Sequence, residues 1–203
     1  MRIHLVRHGE TAPEPPNSFY GGSEVPLSQE GKRQANCAAE FLQKEKVDLI
    51  VSSHLSRARY GAEQIHLRHT RADVDIVKEF TEIDRGRWVG HNLEGINKLY
   101  PGDWESYLSD PLNWRGHGGE SLQQLNDRVS NAWHQLIDRN RKKECIVVVA
   151  HMFPIRSIVG SYLEGALLKH FFDIKIPTAS ISTIELEKQG KAAKVSSIGF
   201  KPY

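Results

Sequence analysis

An arginine and a histidine that follow the first apolar run are the residues of this chain best suited to chemistry. Arg7 and His8 come directly after the letters IHLV. A neutral imidazole nitrogen is a nucleophile that can attack phosphorus, and a guanidinium group presents paired donors that match phosphate oxygens. Arg57 and His151 occupy similar positions after two further apolar runs. These residue types predict a pocket for an anion, with a phosphoryl group as the expected occupant.

A nucleophile on one side of a phosphate ester requires an acid on the other, because the departing alkoxide must take up a proton. The segment FTEIDRGRW, residues 80–88, offers Glu82 and Asp84 for this role. A carboxyl group shielded from solvent by Phe80 and Trp88 is expected to keep its proton near neutral pH, since burial disfavours the charged form. The residue types alone leave the choice between the two carboxyl groups open.

The elements that must position these residues are visible as apolar patterns. Three short β-branched runs, typical of strands buried on both faces, cover residues 2–6, 47–53 and 145–150. Helical patterns cover residues 28–45, with Ser28 as the N-cap, and residues 56–67 and 121–143. Two alternating segments around KQGK predict a terminal hairpin. The alternation of strands and helices predicts an α/β fold with a mostly parallel sheet, in which ligands bind at the carboxyl ends of the strands.

The length of the chain and its central segment bear on domain organisation. A chain of 203 residues is the size of one domain with a substantial core. The stretch at about 70–120 is less regular and rich in Gly, Trp and Asn. We therefore expect a single domain over residues 1–203, with an irregular cap or insertion at about 70–120.

Composition argues against several classes of function. Lys and Arg number 27 against 25 Asp and Glu, and a net charge of only +2 does not suit a protein that coats nucleic acid or an anionic membrane. The apolar runs fall short of a membrane span and the N-terminus lacks a signal-like segment, so a cytoplasmic location is expected. Cys37 and Cys145 are expected to be reduced thiols without metal-like spacing, and the dinucleotide pattern GxGxxG is missing, so we expect neither a metal nor a cofactor.

Six segments occur in one order along the chain: LVRHGET, VPLSQEGKRQA, VSSHLSRA, TEIDRGRWVG, GGESLQQLNDRV and VVVAHMFPIR. This ordered set resembles the histidine phosphatase superfamily, the phosphoglycerate-mutase-like proteins, through nearly the whole chain. The resemblance implies a three-layer α/β/α sandwich, with a Rossmann-like sheet of about six strands and helices on both faces. It also implies that the histidine of the RHG motif is phosphorylated during turnover.

The resemblance assigns a role to each residue that matches a family motif. His8 would be the nucleophile and Arg7 a clamp for the phosphate. Arg57 would be the second arginine of the pocket, and His151 would form a hydrogen bond with the transferring phosphoryl group. Glu82 would be the proton donor and, in the second half-reaction, the base that activates water.

Other positions match the family less closely. Asn17 and Met152 are expected to contact the substrate or its phosphate, and Glu120 and Ser121 to cap a helix and brace the pocket. Glu14 stands where the family commonly has a phosphate-binding asparagine, and Met152 stands near a usual glycine. These departures indicate a pocket that differs from the common pattern.

The expected function is hydrolysis of a small phosphate ester without a metal, in the phosphatase branch of the family. The block TEIDRGRWVGHNLEGI resembles α-ribazole phosphatases and sugar bisphosphatases. A phosphoglycerate mutase is the nearest alternative, although such mutases tend to be longer. A protein that binds a phosphorylated ligand without catalysis is the alternative from another class. The physiological substrate and the oligomeric state, a homodimer included, stay open.

Overall fold

Strands and helices alternate along most of this chain, as its apolar runs predict. The computed structural model describes residues 1–12, 15–163, 171–187 and 193–203. The strands are β1 (Arg2–Arg7), β2 (Leu49–Ser52), β3 (Asp73–Ile76), β4 (Cys145–Ala150), β5 (Ile181–Leu186) and β6 (Ala193–Phe200). The helices are α1 (Gln29–Leu42), α2 (Ser56–His66), α3 (Leu93–Leu99), α4 (Asp103–Ser109), α5 (Leu122–Arg139) and α6 (Met152–Gly160).

The described strands form one six-stranded sheet in the order β3-β2-β4-β1-β5-β6. The first four strands in this order pair in parallel, and β5 and β6 add an antiparallel hairpin at one edge. The prediction of an α/β fold with a mostly parallel sheet is confirmed, as is the terminal hairpin. The KQGK segment itself lies outside the described residues. Because β1 lies between β4 and β5, the first apolar run is a central strand.

Both faces of the sheet are buried, which explains why its central strands are apolar without alternation. One face of β1 and β4, with Ile3, Leu5 and Val148, packs against α5 and α6. The opposite face, with Val6 and Val149, packs against α1 and α2. None of the described helices is long and apolar enough to cross a lipid bilayer.

The stretch at about 70–120, predicted to be irregular, contains the strand β3, the helices α3 and α4, and two short 3₁₀ helices at Lys78–Phe80 and Gly86–Trp88. All four residues of the edge strand β3 are exposed, so no buried face gives it an apolar pattern. The helices α3 and α4 have seven residues each, too few for a periodic pattern to stand out. Aromatic residues form a separate small core here, in which Trp88 packs within 6 Å of the rings of Trp104, Tyr107 and Trp114.

The loop from β1 into α1 passes very close to the first turn of α1. Ser28 is the N-cap of α1, as predicted, and its side chain accepts a hydrogen bond from the N–H of Gly31. A Cβ added to Gly31 would lie 1.9 Å from the carbonyl oxygen of Glu10, and one added to Gly9 would lie 2.0 Å from the carbonyl oxygen of Gly31. Two glycines therefore let the RHG segment pack directly on the helix.

We expect Gly31→Ala to lower the free energy of unfolding by about 1–3 kcal/mol, because backbone must shift to admit the methyl group. Urea unfolding followed by circular dichroism measures the change. Gly95→Ala in α3 is the matched control, since its added Cβ has its nearest neighbour, a side-chain oxygen of Asn92, at 3.3 Å. Equal stability of the Gly31→Ala protein and the wild type would contradict the close packing of loop and helix.

Candidate active site

The carboxyl ends of three adjacent parallel strands bring the predicted residues together. His8 follows β1, Arg57 lies in the first turn of α2 after β2, and His151 follows β4 as the N-cap of α6. The ring centroids of His8 and His151 are 5.0 Å apart. Nε of Arg57 donates a hydrogen bond to Nδ1 of His151 at 3.3 Å. The sheet order, with β4 between β1 and β2, is the cause of this convergence.

The imidazole of His8 is buried and held in one tautomer. Its side chain and backbone are only 2% exposed, and Nδ1 lies 2.7 Å from the carbonyl oxygen of Gly9. A carbonyl oxygen only accepts hydrogen bonds, so Nδ1 carries the proton and Nε2 keeps its lone pair. The backbone is fixed as well, since the N–H of His8 donates to Ala150 and its carbonyl accepts from Ala179.

The surroundings of His8 also keep it uncharged. Burial, and then the positive charges of Arg7 and Arg57, hold the pKa of His8 well below its usual value of 6.5. Burial, and then the proximity of His8 and Arg57, lowers the pKa of His151 in the same way. Both rings are therefore neutral at neutral pH, and His8 presents an unprotonated nitrogen to the pocket.

We expect the ring of His8 to titrate with a midpoint below pH 6.5, measured by NMR on protein labelled in its histidine rings. The unfolded chain takes up protons at higher pH than the native protein, so the free energy of unfolding should fall as the pH drops below about 6.5. His8→Asn should reduce this pH dependence. A midpoint at or above 6.5 would contradict the buried, cation-flanked position of this ring.

The two arginines of the pocket are each anchored and keep unused donors. Arg57 is 1% exposed, and its guanidinium also donates to the carbonyl oxygens of Ser23 at 2.6 Å and Gly21 at 2.7 Å. Three of its five N–H groups are thus bound within the described residues. Arg7 donates from Nη1 to the carbonyl oxygen of Ile176 at 2.7 Å, while its buried Nε has no partner within the described residues. Both cations can therefore accept an anionic ligand.

Glu82 is fixed at the start of α6. It is 9% exposed, and its carboxylate accepts from the backbone N–H groups of Ile83 at 3.0 Å and Phe153 at 3.2 Å. Phe153 lies two residues after His151, so this contact holds the side chain of Glu82 at the end of α6 that carries the pocket histidine. Asp84 instead lies in a turn, where its carboxylate accepts from the N–H of Gly86. The structure thus places Glu82, and not Asp84, against the first turn of α6, next to His151.

An ion pair braces the segment that carries Glu82. Arg128 on α5 binds the carboxylate of Glu120 at 2.6 Å and donates to the backbone carbonyls of Glu79 and Glu82. Ser121 caps α5 through a reciprocal pair of hydrogen bonds with Gln124. The predicted capping of the helix by Ser121 is confirmed, whereas Glu120 forms an ion pair with Arg128 and is not the cap. A role for either residue in bracing the pocket stays a prediction.

Two predicted binding residues have no described contact with the pocket cations. Asn17 is exposed in a turn with a left-handed backbone, at φ 60°, and Glu14, three residues earlier, lies outside the described residues. Met152 begins α6 next to His151, but its half-buried side chain packs on the main core. A role for either residue in substrate contact stays a prediction.

Sequence reasoning missed three residues near the pocket. Ser53 accepts a hydrogen bond from Nε2 of His151 at 2.9 Å. Arg85 and Arg156 are buried, and their guanidinium carbons lie 4.8 Å and 5.7 Å from the ring centroid of Phe153. A charged residue within the apolar helix MFPIRSIVG is a signal that could have revealed Arg156. Arg85 has no such signal, because DRGRW reads as an exposed charged segment.

Comparison with known proteins places this fold and these residues in a family. The α-ribazole phosphatase from Shigella flexneri superposes with a TM-score of 0.89 over 99% of this chain and 97% of its own, at 21% identity. Phosphoserine phosphatase 1 of Hydrogenobacter thermophilus is 31% identical over 191 residues, which is 93% of this chain and 88% of that protein. The family profile of the histidine phosphatase superfamily (branch 1) matches residues 3–198. The chain belongs to this superfamily.

Membership of the histidine phosphatase superfamily confirms the predicted family and its fold. The protein is a phosphatase of this superfamily, a hydrolase of phosphate monoesters. Its relatives also include a mycobacterial glucosyl-3-phosphoglycerate phosphatase in complex with VO3, which is 25% identical, covers 98% of this chain and 99% of its own, and has a TM-score of 0.84. The probable phosphoglycerate mutase GpmB of Salmonella choleraesuis is 30% identical over 80% of this chain and 75% of its own. Phosphatases and mutases thus occur among the relatives of this histidine phosphatase.

Proposed function

We propose that this phosphatase hydrolyses a small phosphate monoester through a phosphohistidine formed on His8. The observation that supports this most strongly is the tautomer of His8. Its Nδ1–H is bound to the carbonyl of Gly9, so the lone pair of Nε2 is directed away from the backbone. Burial and two neighbouring cations keep the ring unprotonated. A neutral imidazole in this state is ready to attack phosphorus without first losing a proton.

The first half-reaction forms the phosphoenzyme. Nε2 of His8 attacks phosphorus in line with the ester oxygen, the N–P bond forms and the P–O bond to the alcohol breaks. The unused donors of Arg7 and Arg57 stabilise the charge on the phosphoryl oxygens, and stabilisation of this charge is the main source of catalysis in phosphoryl transfer. His151 joins them when its Nε2–H exchanges Ser53 for a phosphoryl oxygen.

Glu82 completes both half-reactions as the proton carrier. As a carboxylic acid it protonates the departing alkoxide, which leaves as the alcohol. The resulting carboxylate then takes a proton from water, the water oxygen attacks the phosphohistidine, and the N–P bond breaks to release inorganic phosphate. His8 returns to its neutral tautomer and Glu82 to its protonated form, so the cycle closes without a metal or a cofactor.

Two further buried guanidinium groups favour a substrate that carries a second negative group. Arg85 keeps a buried Nη1 without a partner within the described residues, and the buried Arg156 donates from Nε to the carbonyl oxygen of Ile174 at 2.9 Å. A phosphate dianion neutralises Arg7 and Arg57 but leaves the other two arginines uncompensated. The names of the phosphoserine and glucosyl-3-phosphoglycerate phosphatases refer to phosphate esters that also contain a carboxylate.

A substrate panel tests this proposal. Release of inorganic phosphate is measured with chelator present for phosphoserine, 3-phosphoglycerate, α-ribazole 5′-phosphate, and O-phosphoethanolamine, which matches phosphoserine but lacks the carboxylate. We expect phosphate release with a higher kcat/KM for phosphoserine than for O-phosphoethanolamine, and Arg85→Met should narrow that difference. A higher kcat/KM for α-ribazole 5′-phosphate than for phosphoserine would contradict the proposal that the substrate carries a second negative group.

The same assay distinguishes the alternative functions. In a mutase the phosphoryl group of a phosphoglycerate would appear on a second position of the product, with little free phosphate. A protein that only binds phosphorylated ligands would release none from any ester. Either result would contradict hydrolysis through His8.

A further inference from the structure

A histidine, a glutamate and a cysteine meet at the end of the sheet opposite to His8. His4 lies within β1, Cys145 is the first residue of β4, and Glu45 follows the end of α1. Arg2 pairs with Cys145 in the parallel register, so His4 and Cys145 project from neighbouring strands. One potential ligand atom from each of the three residues lies within 4.8 Å of the other two. His4 and His8 are separated by four residues of extended chain, or about 13 Å.

The ring of His4 has a buried nitrogen without a partner within the described residues. His4 is 4% exposed, and Nδ1 lies 3.1 Å from the hydroxyl of Thr183. Nε2 is fully buried and makes no hydrogen bond within the described residues. Buried polar atoms are nearly always bound, so an orphaned nitrogen calls for a missing partner. When Nδ1–H donates to Thr183, the lone pair of Nε2 is free to bind a metal, and such an outer contact orients metal-binding histidines generally.

Cys145 supplies the atom that a borderline-soft metal prefers. The thiol is free and buried, and burial, with the nearby Glu45 and Asp48, raises its pKa to about 12. Burial thus favours the neutral thiol in the metal-free protein. A divalent metal stabilises the thiolate directly, so binding replaces the thiol proton by a metal–sulfur bond and releases that proton to water.

Glu45 can turn toward His4 and Cys145 because Arg2, its ion-pair partner, has a second carboxylate within reach. Its carboxylate binds Arg2 at 3.1 Å, and the same guanidinium lies 3.8 Å from the carboxylate of Glu185. Arg2 can thus turn to Glu185 when Glu45 turns inward. The three ligand atoms need a separation of about 3.4 Å around a tetrahedral ion with bonds of 2.0–2.3 Å, as in zinc sites. The ligand atoms of the three residues now lie within 4.8 Å of one another, so small side-chain movements bring them to that spacing.

We propose that Nε2 of His4, a carboxylate oxygen of Glu45 and the thiolate of Cys145 bind a divalent transition-metal ion of the zinc type. Nitrogen, oxygen and sulfur ligands together select zinc or cobalt over magnesium and calcium. Water completes a four-coordinate site. The ion ties β1 to β4 and to the end of α1, away from the residues proposed for hydrolysis. The proposed phosphatase reaction proceeds without this ion.

Cobalt is the probe for this site, because a cobalt–thiolate bond absorbs in the near ultraviolet and tetrahedral cobalt has strong visible bands. Tag-free full-length protein, stripped with a chelator and kept reduced, is titrated with Co²⁺ and then with Zn²⁺. We expect one Co²⁺ per chain with both sets of bands, lost again when Zn²⁺ displaces the cobalt. Zn²⁺ should also raise the Tm.

Three variants locate the ligands. Cys145→Ser should abolish the thiolate band, whereas Cys37→Ser, which removes the other free thiol, should leave it unchanged. Glu45→Gln changes a partly exposed residue and should weaken cobalt binding by at least about tenfold while the thiolate band persists at saturation. Absence of a thiolate band in the wild type, or its persistence in Cys145→Ser, would overturn the proposal. Phosphate release is measured in parallel without added metal. Cobalt binding therefore tests the metal site alone, and phosphate release tests the hydrolytic mechanism alone.

Discussion

Replacement of His8 by alanine is expected to lower kcat by at least about 10³-fold, because it removes the atom that forms the covalent intermediate. The ring is buried 5.0 Å from the ring of His151, and the backbone of His8 is bonded to Ala150 of β4 and to Ala179 in the loop before β5. The remaining pocket can still bind phosphate through its cations. We therefore expect the Kd for inorganic phosphate to change far less than kcat, measured by isothermal titration.

The matched control for this variant is His134→Ala, which removes an exposed histidine on α5. Its kcat should equal that of the wild type. Thermal unfolding shows whether the His8→Ala protein is folded, and phosphate binding shows whether its pocket is intact. A folded His8→Ala protein that binds phosphate and keeps wild-type turnover would refute the proposed nucleophile.

Replacement of Glu82 by glutamine is expected to lower kcat by about 10²–10⁴-fold for alkyl phosphates, the range found for loss of a general acid. Glutamine preserves the size of the side chain and keeps an oxygen that can accept from the N–H groups of Ile83 and Phe153. The loss should shrink for an aryl phosphate whose phenolate leaves without a proton. Steady-state and single-turnover rates with the two kinds of ester measure this contrast.

Asp84→Asn is the matched control, since it makes the same chemical change two residues away in a turn. We expect it to affect kcat little and to show no dependence on the leaving group. A large, leaving-group-dependent loss in Asp84→Asn together with normal turnover in Glu82→Gln would assign the acid to the other carboxyl group.

The central strands and the residues that follow them could be predicted because burial on both faces leaves a continuous apolar run. Such runs mark β1 and β4, and the polar residues at their carboxyl ends are conspicuous because they interrupt the apolar pattern. Helices with one buried face, such as α1 with its Ser28 cap, show a periodic pattern for the same reason. The convergence of His8, Arg57 and His151 then follows from the topology of a parallel sheet.

Other features could not be predicted because they depend on contacts between distant segments. The edge strand β3 has no buried face to mark it, and α3 and α4 are held by an aromatic cluster that also includes Phe19 from the loop before α1. The tautomer of His8 depends on one carbonyl oxygen, and the burial of Arg85 depends on aromatic rings from three segments. Residue order along the chain contains no direct signal for these contacts.

The most direct test of the proposed mechanism is to trap the phosphoenzyme. The protein is mixed with a ³²P-labelled phosphate ester that it hydrolyses, quenched in alkali within milliseconds, and digested for mass spectrometry. The mechanism predicts label on His8 that survives alkali, is lost in acid, forms as fast as turnover requires and is missing from the His8→Ala protein. Rapid hydrolysis with no labelled protein at any time, or label on a residue other than His8, would contradict it.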